Sequence, residues 1–489
     1  MPTATGQTGR FEEQEPAMTE AVDAIAAPAT ANAAVEARLA STNTAPDSEL
    51  SWLPAWRIRE LIATKQLSPV EVTDHFLARA EALDPQIHAF RKLDAAGARK
   101  AARDAEAAVM SGVPLGPLHG VPVAIKELIA VRDMPYWEPF LGERVIAERD
   151  SLEVSRLREA GAIIFGVTIG GLTAYEFGAS DQQPHNPWDR TRVCGDSSSG
   201  SACAQTSAMV PITLVTDGLG STRLPSAYCG QVGMLGARGR VPRAEWSHVG
   251  SSAMSHSGPI ARDVRDAATM MSVLAGWDGR DLFCLPEEAP DYLGAIDKGA
   301  RGMRLVWTND FGYAGAYATA ETPRVVETVR CAAEGLLSLG AGIEETSEDF
   351  GEAYTTGSRM MLGDAGLAIY RKLPREDVIY ARETRQRLWE TYRRILGDRD
   401  FIISPTTPHV APTREAWAAG WTAPEEGKLP AHMGHYTPHT AAANVLGWPA
   451  ITVPVGFVDG LPVGFQIMGR PDSEPRMVQL AQAMLALQG

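Results

Sequence analysis

Cysteine is scarce in this 489-residue chain, and the few cysteines do not pair. The five (Cys194, Cys203, Cys229, Cys284 and Cys331) form no C-x-x-C unit and leave one over. That excludes a disulfide framework and a zinc ribbon and points to a reducing compartment, read here as the cytoplasm. No apolar run approaches the roughly 20 residues of a membrane-spanning helix. The opening stretch, MPTATGQTGRFEEQEP, has no basic segment followed by an apolar one, so no secretory signal is expected in it. Positive charge is also short: 45 Lys and Arg against 60 Asp and Glu leave a net charge of −15, which excludes nucleic acid and anionic membrane as expected partners. Large apolar side chains are nearly missing from residues 1–46, which are rich in Ala, Thr, Glu and Pro. Such a segment buries too little surface to offset its ordering entropy, so a disordered tail over 1–46 is expected ahead of a domain over 47–489.

What is present reads as a large α/β domain. Ser68, Pro69 and Glu71 form a capping box with proline at the first helical position, and Val72, Phe76, Ala80 and Leu83 fall on one face of the helix behind it. GVPVAIKE predicts a buried strand over Val121–Ile125, and SLEVSRLREAGAIIFGVT a helix, a stop at Gly161 and a strand over Ala162–Val167. GSACAQTSAMVPITLVTD predicts a helix of small residues followed by a strand. This alternation argues for a mixed, largely parallel twisted sheet with helices on both faces. Near the end, two apolar strands meet at Asp459-Gly460, a hairpin signal. No internal repeat and no Pro/Ser linker interrupts residues 60–489, so one domain is expected.

The stretch CGDSSSGS, Cys194–Ser201, concentrates hydroxyl and carboxylate groups. A phosphate cradle would need a Lys-Ser/Thr after the glycine turn, which is missing. The Gly-Asp-Ser of a trypsin-like nucleophile is followed here by Ser198 and Ser199 in place of glycines, and the nucleophile elbow G-x-S-x-G is absent at this cluster. Taken alone, the stretch reads as a loop and helix N-cap. A second stretch changes that. TDGLGSTRLPSAYCG sets Ser221 in a tight glycine turn, where a hydroxyl and several backbone N–H groups can face one space, the parts of an oxyanion hole. The two serines, Ser197 and Ser221, lie 24 residues apart (221 − 197 = 24).

With these two stretches in place, the chain resembles the amidase signature family. Further matches are GVPVAIKE with Lys126, GAIIFGVT, NPWD at Asn186–Asp189, SGPIARDVRDAA at Ser257–Ala268, SPTTP at Ser404–Pro408, and NVLGWPAITVPVGFVDGLPVGFQIMGRP at Asn444–Pro471. The resemblance covers about residues 50–489. It implies the family's single-domain fold and assigns Ser221 as acyl-forming nucleophile, Ser197 as bridging serine and Lys126 as general base. Gly218, Leu219, Gly220 and Ser221 match the segment whose backbone N–H groups form the oxyanion hole, and Asp217 and Arg223 match a structural pair. The implied reaction is hydrolysis of small or aryl amides, with no cofactor and no metal. Carbamate hydrolysis by the same relay is an alternative, and the amidase component of a glutamine-dependent tRNA amidotransferase is a more distant one. The partner expected is a small amide or carbamate, and a homodimer is compatible with the sequence.

A free lysine, with a pKa near ~10.4, is protonated at neutral pH, but burial at the end of a strand lowers that value by roughly 3–5 units when complete. Two departures from the family stand out. Asp196 occupies a position that is usually glycine, before a bridging serine whose preceding peptide bond is cis in the family. Leu219 replaces a glycine of the family's D-x-G-G-S. Both are candidates for shaping the substrate site, as are the aromatics Tyr136, Trp137 and Phe140 of MPYWEPF, and Tyr175 and Phe177 of TAYEFGAS. In AHMGHYTPHT, His432, His435 and His439 lack a helical frame for a metal, and a loop at the substrate entrance is expected instead.

Overall fold

The computed structural model describes residues 9–10, 28–40, 49–138, 143–170, 180–243, 254–365, 375–420 and 436–488. Its strands are, in chain order, β1 (Gly9–Arg10), β2 (Phe90–Leu93), β3 (Pro122–Lys126), β4 (Pro135–Glu138), β5 (Glu143–Ile146), β6 (Ile163–Thr168) and β7 (Ile212–Asp217). There follow β8 (Val232–Leu235), β9 (His256–Ala261), β10 (Arg304–Trp307), β11 (Gly342–Glu345), β12 (Phe401–Pro405), β13 (Ala450–Val458) and β14 (Leu461–Gly469). Among the described residues, twelve strands form one sheet in the order β1-β11-β10-β12-β14-β13-β8-β9-β7-β3-β6-β2, while β4 and β5 pair as a separate hairpin.

The sheet is mixed, and its parallel pairings fall in two triplets. One is β6-β3-β7 and the other β11-β10-β12. Between them the ladder runs antiparallel through β9, β8, β13 and β14. Every position of β3, β6, β7, β9, β12 and β14 is buried, so both faces of this sheet are covered. The helices Ser199–Thr206, Arg223–Cys229, Val264–Leu274, Thr322–Ser338 and Glu474–Ala486 do most of that covering.

Local rules account for the element ends. Ser68 Oγ accepts from the N–H groups of Val70 and Glu71, and Glu71 accepts from the Ser68 N–H, closing the capping box of helix Pro69–Ile87. The hairpin between β13 and β14 turns on Asp459 (φ 53°) and Gly460 (φ 70°), the left-handed pair a tight two-residue connection demands. The strand read as Val121–Ile125 begins one residue later and takes in Lys126, and the strand read as Ala162–Val167 runs from Ile163 to Thr168.

The expected tail needs a correction. Residues 28–40 form a helix that docks on the domain, because Val35 and Leu39, four apart, present one apolar stripe to the core. Glu36 pairs with the fully buried guanidinium of Arg79 at 2.6 Å, and Arg38 donates to the carbonyls of Trp188 and Gly460. Most of residues 1–27 lie outside the described residues. No helix among the described residues is long and apolar enough to cross a membrane. Since Leu39 is 3% exposed, Leu39→Ala is expected to lower unfolding free energy by about 2–4 kcal/mol, read as a shifted denaturant midpoint. An unchanged midpoint would mean that this helix does not dock.

Candidate active site

The parallel triplet β6-β3-β7 delivers three chain ends to one edge of the sheet, the kind of crevice in which open α/β sheets bind ligands. β3 ends in Lys126, and β7 ends in Asp217, just before the turn that holds Ser221. β6 ends in Thr168, whose Oγ1 is 2.6 Å from Ser201 Oγ in the helix Ser199–Thr206. Gly170 follows β6 and touches the lysine stem. A Cβ there would sit 3.0 Å from both Lys126 Cγ and the Ser197 carbonyl, so a larger residue would have to displace the lysine stem or that carbonyl.

Lys126 is fully buried, with three oxygens around Nζ: Ser197 Oγ at 2.7 Å, Ser198 Oγ at 2.9 Å and the Thr216 carbonyl at 3.1 Å. A carbonyl only accepts, and Ser198 Oγ, 3.4 Å from the same carbonyl, donates its own proton there. Ser198 therefore has a lone pair left for a lysine N–H. A neutral amine with two N–H groups satisfies Ser198 and Thr216 and turns its own lone pair to the Ser197 hydroxyl. Burial pushes the Lys126 pKa down to about 7; Asp196 and Asp217 oppose that shift and Arg243 adds to it. Asp196 is buried on the adjoining turn, and burial pushes its carboxyl well above the usual carboxylate range against the pull of Lys126 and of the Ser197 N–H.

The turn after β7 is held by one carboxylate. Asp217 accepts from the N–H of Gly220 at 2.6 Å and of Thr222 at 3.1 Å. It pairs with the fully buried Arg223 at 3.0 Å, whose guanidinium also reaches Gln466 of β14 at 2.9 Å and Asn444 at 2.7 Å. Burial alone would raise the Asp217 pKa; the charge and hydrogen bonds of Arg223 outweigh it and hold the carboxyl below its usual range. Asn444 Nδ2 adds bonds to the Asp217 backbone carbonyl at 2.8 Å and to its carboxylate at 3.0 Å. On the other side of the turn, Thr440 Oγ1 donates to the Leu219 carbonyl at 2.8 Å. Gly220 has φ 135°, and a Cβ on it would meet Thr440 Oγ1 at 2.2 Å, so this glycine is required twice over.

Set against the sequence expectations, Lys126, Ser197 and the turn carrying Ser221 come together at this edge, with Ser197 and Ser221 both half-buried. Of the four N–H groups expected to form an oxyanion hole, that of Gly220 is bonded to Asp217, and those of Gly218, Leu219 and Ser221 meet no acceptor among the described residues. Peptide bonds among the described residues are trans, so the cis bond before Ser197 that the resemblance implied is not present; trans is the lower form for a non-proline residue by roughly 2.5–4 kcal/mol. Leu219 packs away from the turn, toward Gly357, Val445 and Met254.

Tyr136 and Trp137 lie on the β4–β5 hairpin, tied to the active-site edge by the Trp137 N–H donating to the Glu127 carbonyl at 2.8 Å. The Trp137 face is taken by the Arg144 guanidinium, 5.2 Å from the ring centroid. Tyr175, with Phe177, Phe140, His432 and His435, lies outside the described residues. His439 is buried with Nδ1 2.8 Å from the Pro405 carbonyl and lines no entrance.

Sequence reading missed Ser198, Thr440 and Gln466, and the anchoring role of Asn444. Ser198 stood in plain view in the serine run. The others touch the site only through folding, from residues more than 200 positions on. Also missed was Glu127, a buried carboxylate clamped by Arg91 at 3.0 Å and Arg144 at 2.8 Å, whose Oε1 accepts from the Gly170 N–H.

The family model described as Amidase matches residues 71–366 and 359–478. A glutamyl-tRNA(Gln) amidotransferase subunit from Salinispora tropica is 32% identical over 505 aligned positions, spanning 90% of this chain and 98% of that protein. An acylamidase from Rhodococcus erythropolis is 30% identical over 462 positions, spanning 87% and 93%. In fold, the chain matches a bacterial aryl acylamidase of the amidase signature enzymes with a TM-score of 0.76 at 24% identity, over 90% of this chain and 97% of that one.

Thr440→Val removes one hydrogen bond on the turn while keeping its shape. It is expected to lower kcat about three- to tenfold with KM little changed, from the roughly 0.5–1.5 kcal/mol such a bond contributes. A rise in KM at constant kcat would show that Thr440 holds substrate rather than the turn.

Proposed function

The chain belongs to the amidase signature family of hydrolases acting on amide C–N bonds, and from that premise we propose that it is a stand-alone amidohydrolase of small or aryl amides working through an acyl-enzyme on Ser221. The observation that carries this reading is the 2.7 Å contact between the buried Lys126 Nζ and Ser197 Oγ. A lysine whose pKa is pushed down to about 7 is available as a neutral base at ordinary pH.

In the proposed sequence, Ser221 attacks the carbonyl carbon while its proton passes to Ser197 and the Ser197 proton passes to Lys126. The negative charge that develops on the carbonyl oxygen is received by the N–H groups of Gly218, Leu219 and Ser221, which have no other acceptor among the described residues. The relay then runs in reverse, protonating the departing amine as the C–N bond breaks. Water attacks the acyl-enzyme by the same route and releases the acid. Glu127, Asp217 and Arg223 are positioning groups, each fixed to its own partner and none free to take the proton.

The relatives named as amidotransferase subunits leave a second reading open, that of an assembly component. Asp196, buried beside Ser197 at a position where the family usually has glycine, favours the stand-alone enzyme with a site of its own.

One aryl group presented as amide, carbamate and ester tests the proposal. Ser221→Ala and Lys126→Ala should each lose at least about a thousandfold in kcat/KM on the amide, and Ser197→Ala about a hundredfold or more. Ester hydrolysis should suffer less in Lys126→Ala, because an alcohol leaves without prior protonation. Full amide turnover by Ser221→Ala would remove the nucleophile, and a preference for the carbamate would redefine the bond class. The base must be unprotonated to act, so kcat/KM should fall as pH drops below about 7 and level off above it. A flat profile from pH 5 to 9 would contradict a lysine base.

A further inference from the structure

Three carboxylates on three different elements act electrostatically on Lys126, and they are not equivalent; Asp196 is the residue before Ser197, whose Oγ lies 2.7 Å from Nζ. Asp217, at the end of β7, is bound to Arg223, and Glu127, next in chain, is clamped between Arg91 and Arg144. The cation facing the site, Arg243, is paired with Glu153 at 3.4 Å. Asp196 has no such charged partner among the described residues. It is 4% exposed, and its Oδ1 meets no hydrogen-bond donor there. Its place is fixed by the backbone. Gly195, at φ 113°, lies so close to Pro225 that a Cβ would approach within 2.7 Å, and the Asp196 carbonyl accepts the Ser199 N–H at 3.0 Å. Lys126 cannot spare it an N–H, since Nζ is already occupied by Ser197, Ser198 and Thr216.

An ionised carboxylate in this position is buried with one bare oxygen, and an ammonium opposite it is buried as well. The pair relieves both by holding a single proton: ammonium with carboxylate, or neutral amine with carboxylic acid. The second tautomer carries no charge, and only it leaves the lysine lone pair on Ser197. Resting on the reading of Lys126 as the base, we propose that Asp196 and Lys126 share one proton and that the reactive tautomer is the neutral amine beside a protonated Asp196. Asp196 is then a positioning residue that sets the pH range over which the base is available. The proton count is one in both tautomers, lost at Lys126 Nζ and gained at an Asp196 carboxylate oxygen, with no direct hydrogen bond between the two groups. The direction in which burial drives each group, lysine down and aspartate up, agrees.

The acid limb of kcat/KM on the aryl amide is measured for wild type, Asp196→Asn and Asp196→Gly. Wild type should show a limb drawn out over two ionisations, because the pair titrates as a unit. Both variants should show a single-proton limb with its midpoint about one pH unit lower, because the carboxylate that favours the ammonium is gone. A wild-type limb of one proton that coincides with those of the variants overturns the proposal. A purely structural role for Asp196 would lower activity at every pH without moving the limb, and that result also overturns it.

Infrared difference spectra of the enzyme with ¹³C-labelled aspartate give a readout that needs no turnover. A carboxylic-acid C=O band present in wild type at neutral pH and lost in Asp196→Gly is expected, and its absence in wild type counts against the proposal. Undiminished amide turnover by Lys126→Ala would instead defeat the base assignment itself, so the two failures are distinguishable.

Discussion

A primary amine held out of water is the constraint on which the rest of the structure depends. In solvent, Lys126 would carry a proton and could not accept another. At the end of β3, with every position of that strand buried, the charged form loses its hydration and the neutral form becomes accessible. Burial alone would leave the nitrogen without partners. The serine pair Ser197-Ser198 and the Thr216 carbonyl supply them. The glycine at 170 and the parallel triplet around β3 serve this one placement.

A second buried charge system holds the turn that carries Ser221. Asp217 and Arg223 are both fully buried, and breaking such a pair leaves an uncompensated charge at a cost of about 3–5 kcal/mol. Gln466 and Asn444 accept from the same guanidinium, so β14 and the helix Ala441–Leu446, more than 200 residues on, are tied to the pair formed by β7 and the helix Arg223–Cys229. The arrangement separates two sets of N–H groups within six residues. The N–H groups of Gly220 and Thr222 are committed to structure, while those of Gly218, Leu219 and Ser221 meet no acceptor among the described residues. Leu219 adds a hydrophobic anchor, since its side chain fills the notch at Gly357 where a Cβ would approach within 2.5 Å.

Much of this was legible in the sequence, and the limits have physical causes. Short-range rules read well: the capping box at Ser68, the stop at Gly161 and the Asp459-Gly460 hairpin are each set by a few neighbouring residues. That Lys126 meets Ser197 beside the turn carrying Ser221 could be expected from the sequence because the motifs holding them are contiguous and regularly spaced. The antiparallel centre of the sheet was not, since strand order depends on contacts across hundreds of residues. The helix over 28–40 hid behind an alanine-rich composition in which Val35 and Leu39 are the only strong cues to docking. Gly220 shows the finer limit. Its N–H looked identical to its neighbours in sequence, and only the position of Asp217 reveals that it is taken.

The central claim is that an acyl group is carried on Ser221 and nowhere else. The direct measurement is to quench the enzyme during turnover of a slowly deacylating aryl ester or carbamate, then locate the added mass by fragment-resolved mass spectrometry. The account predicts one acyl group per chain, on the Ser221 hydroxyl, absent in Ser221→Ala and present but slower to form in Lys126→Ala. An acyl group on Ser197, or turnover with no covalent adduct under conditions that trap one in a known serine amidase, would contradict it.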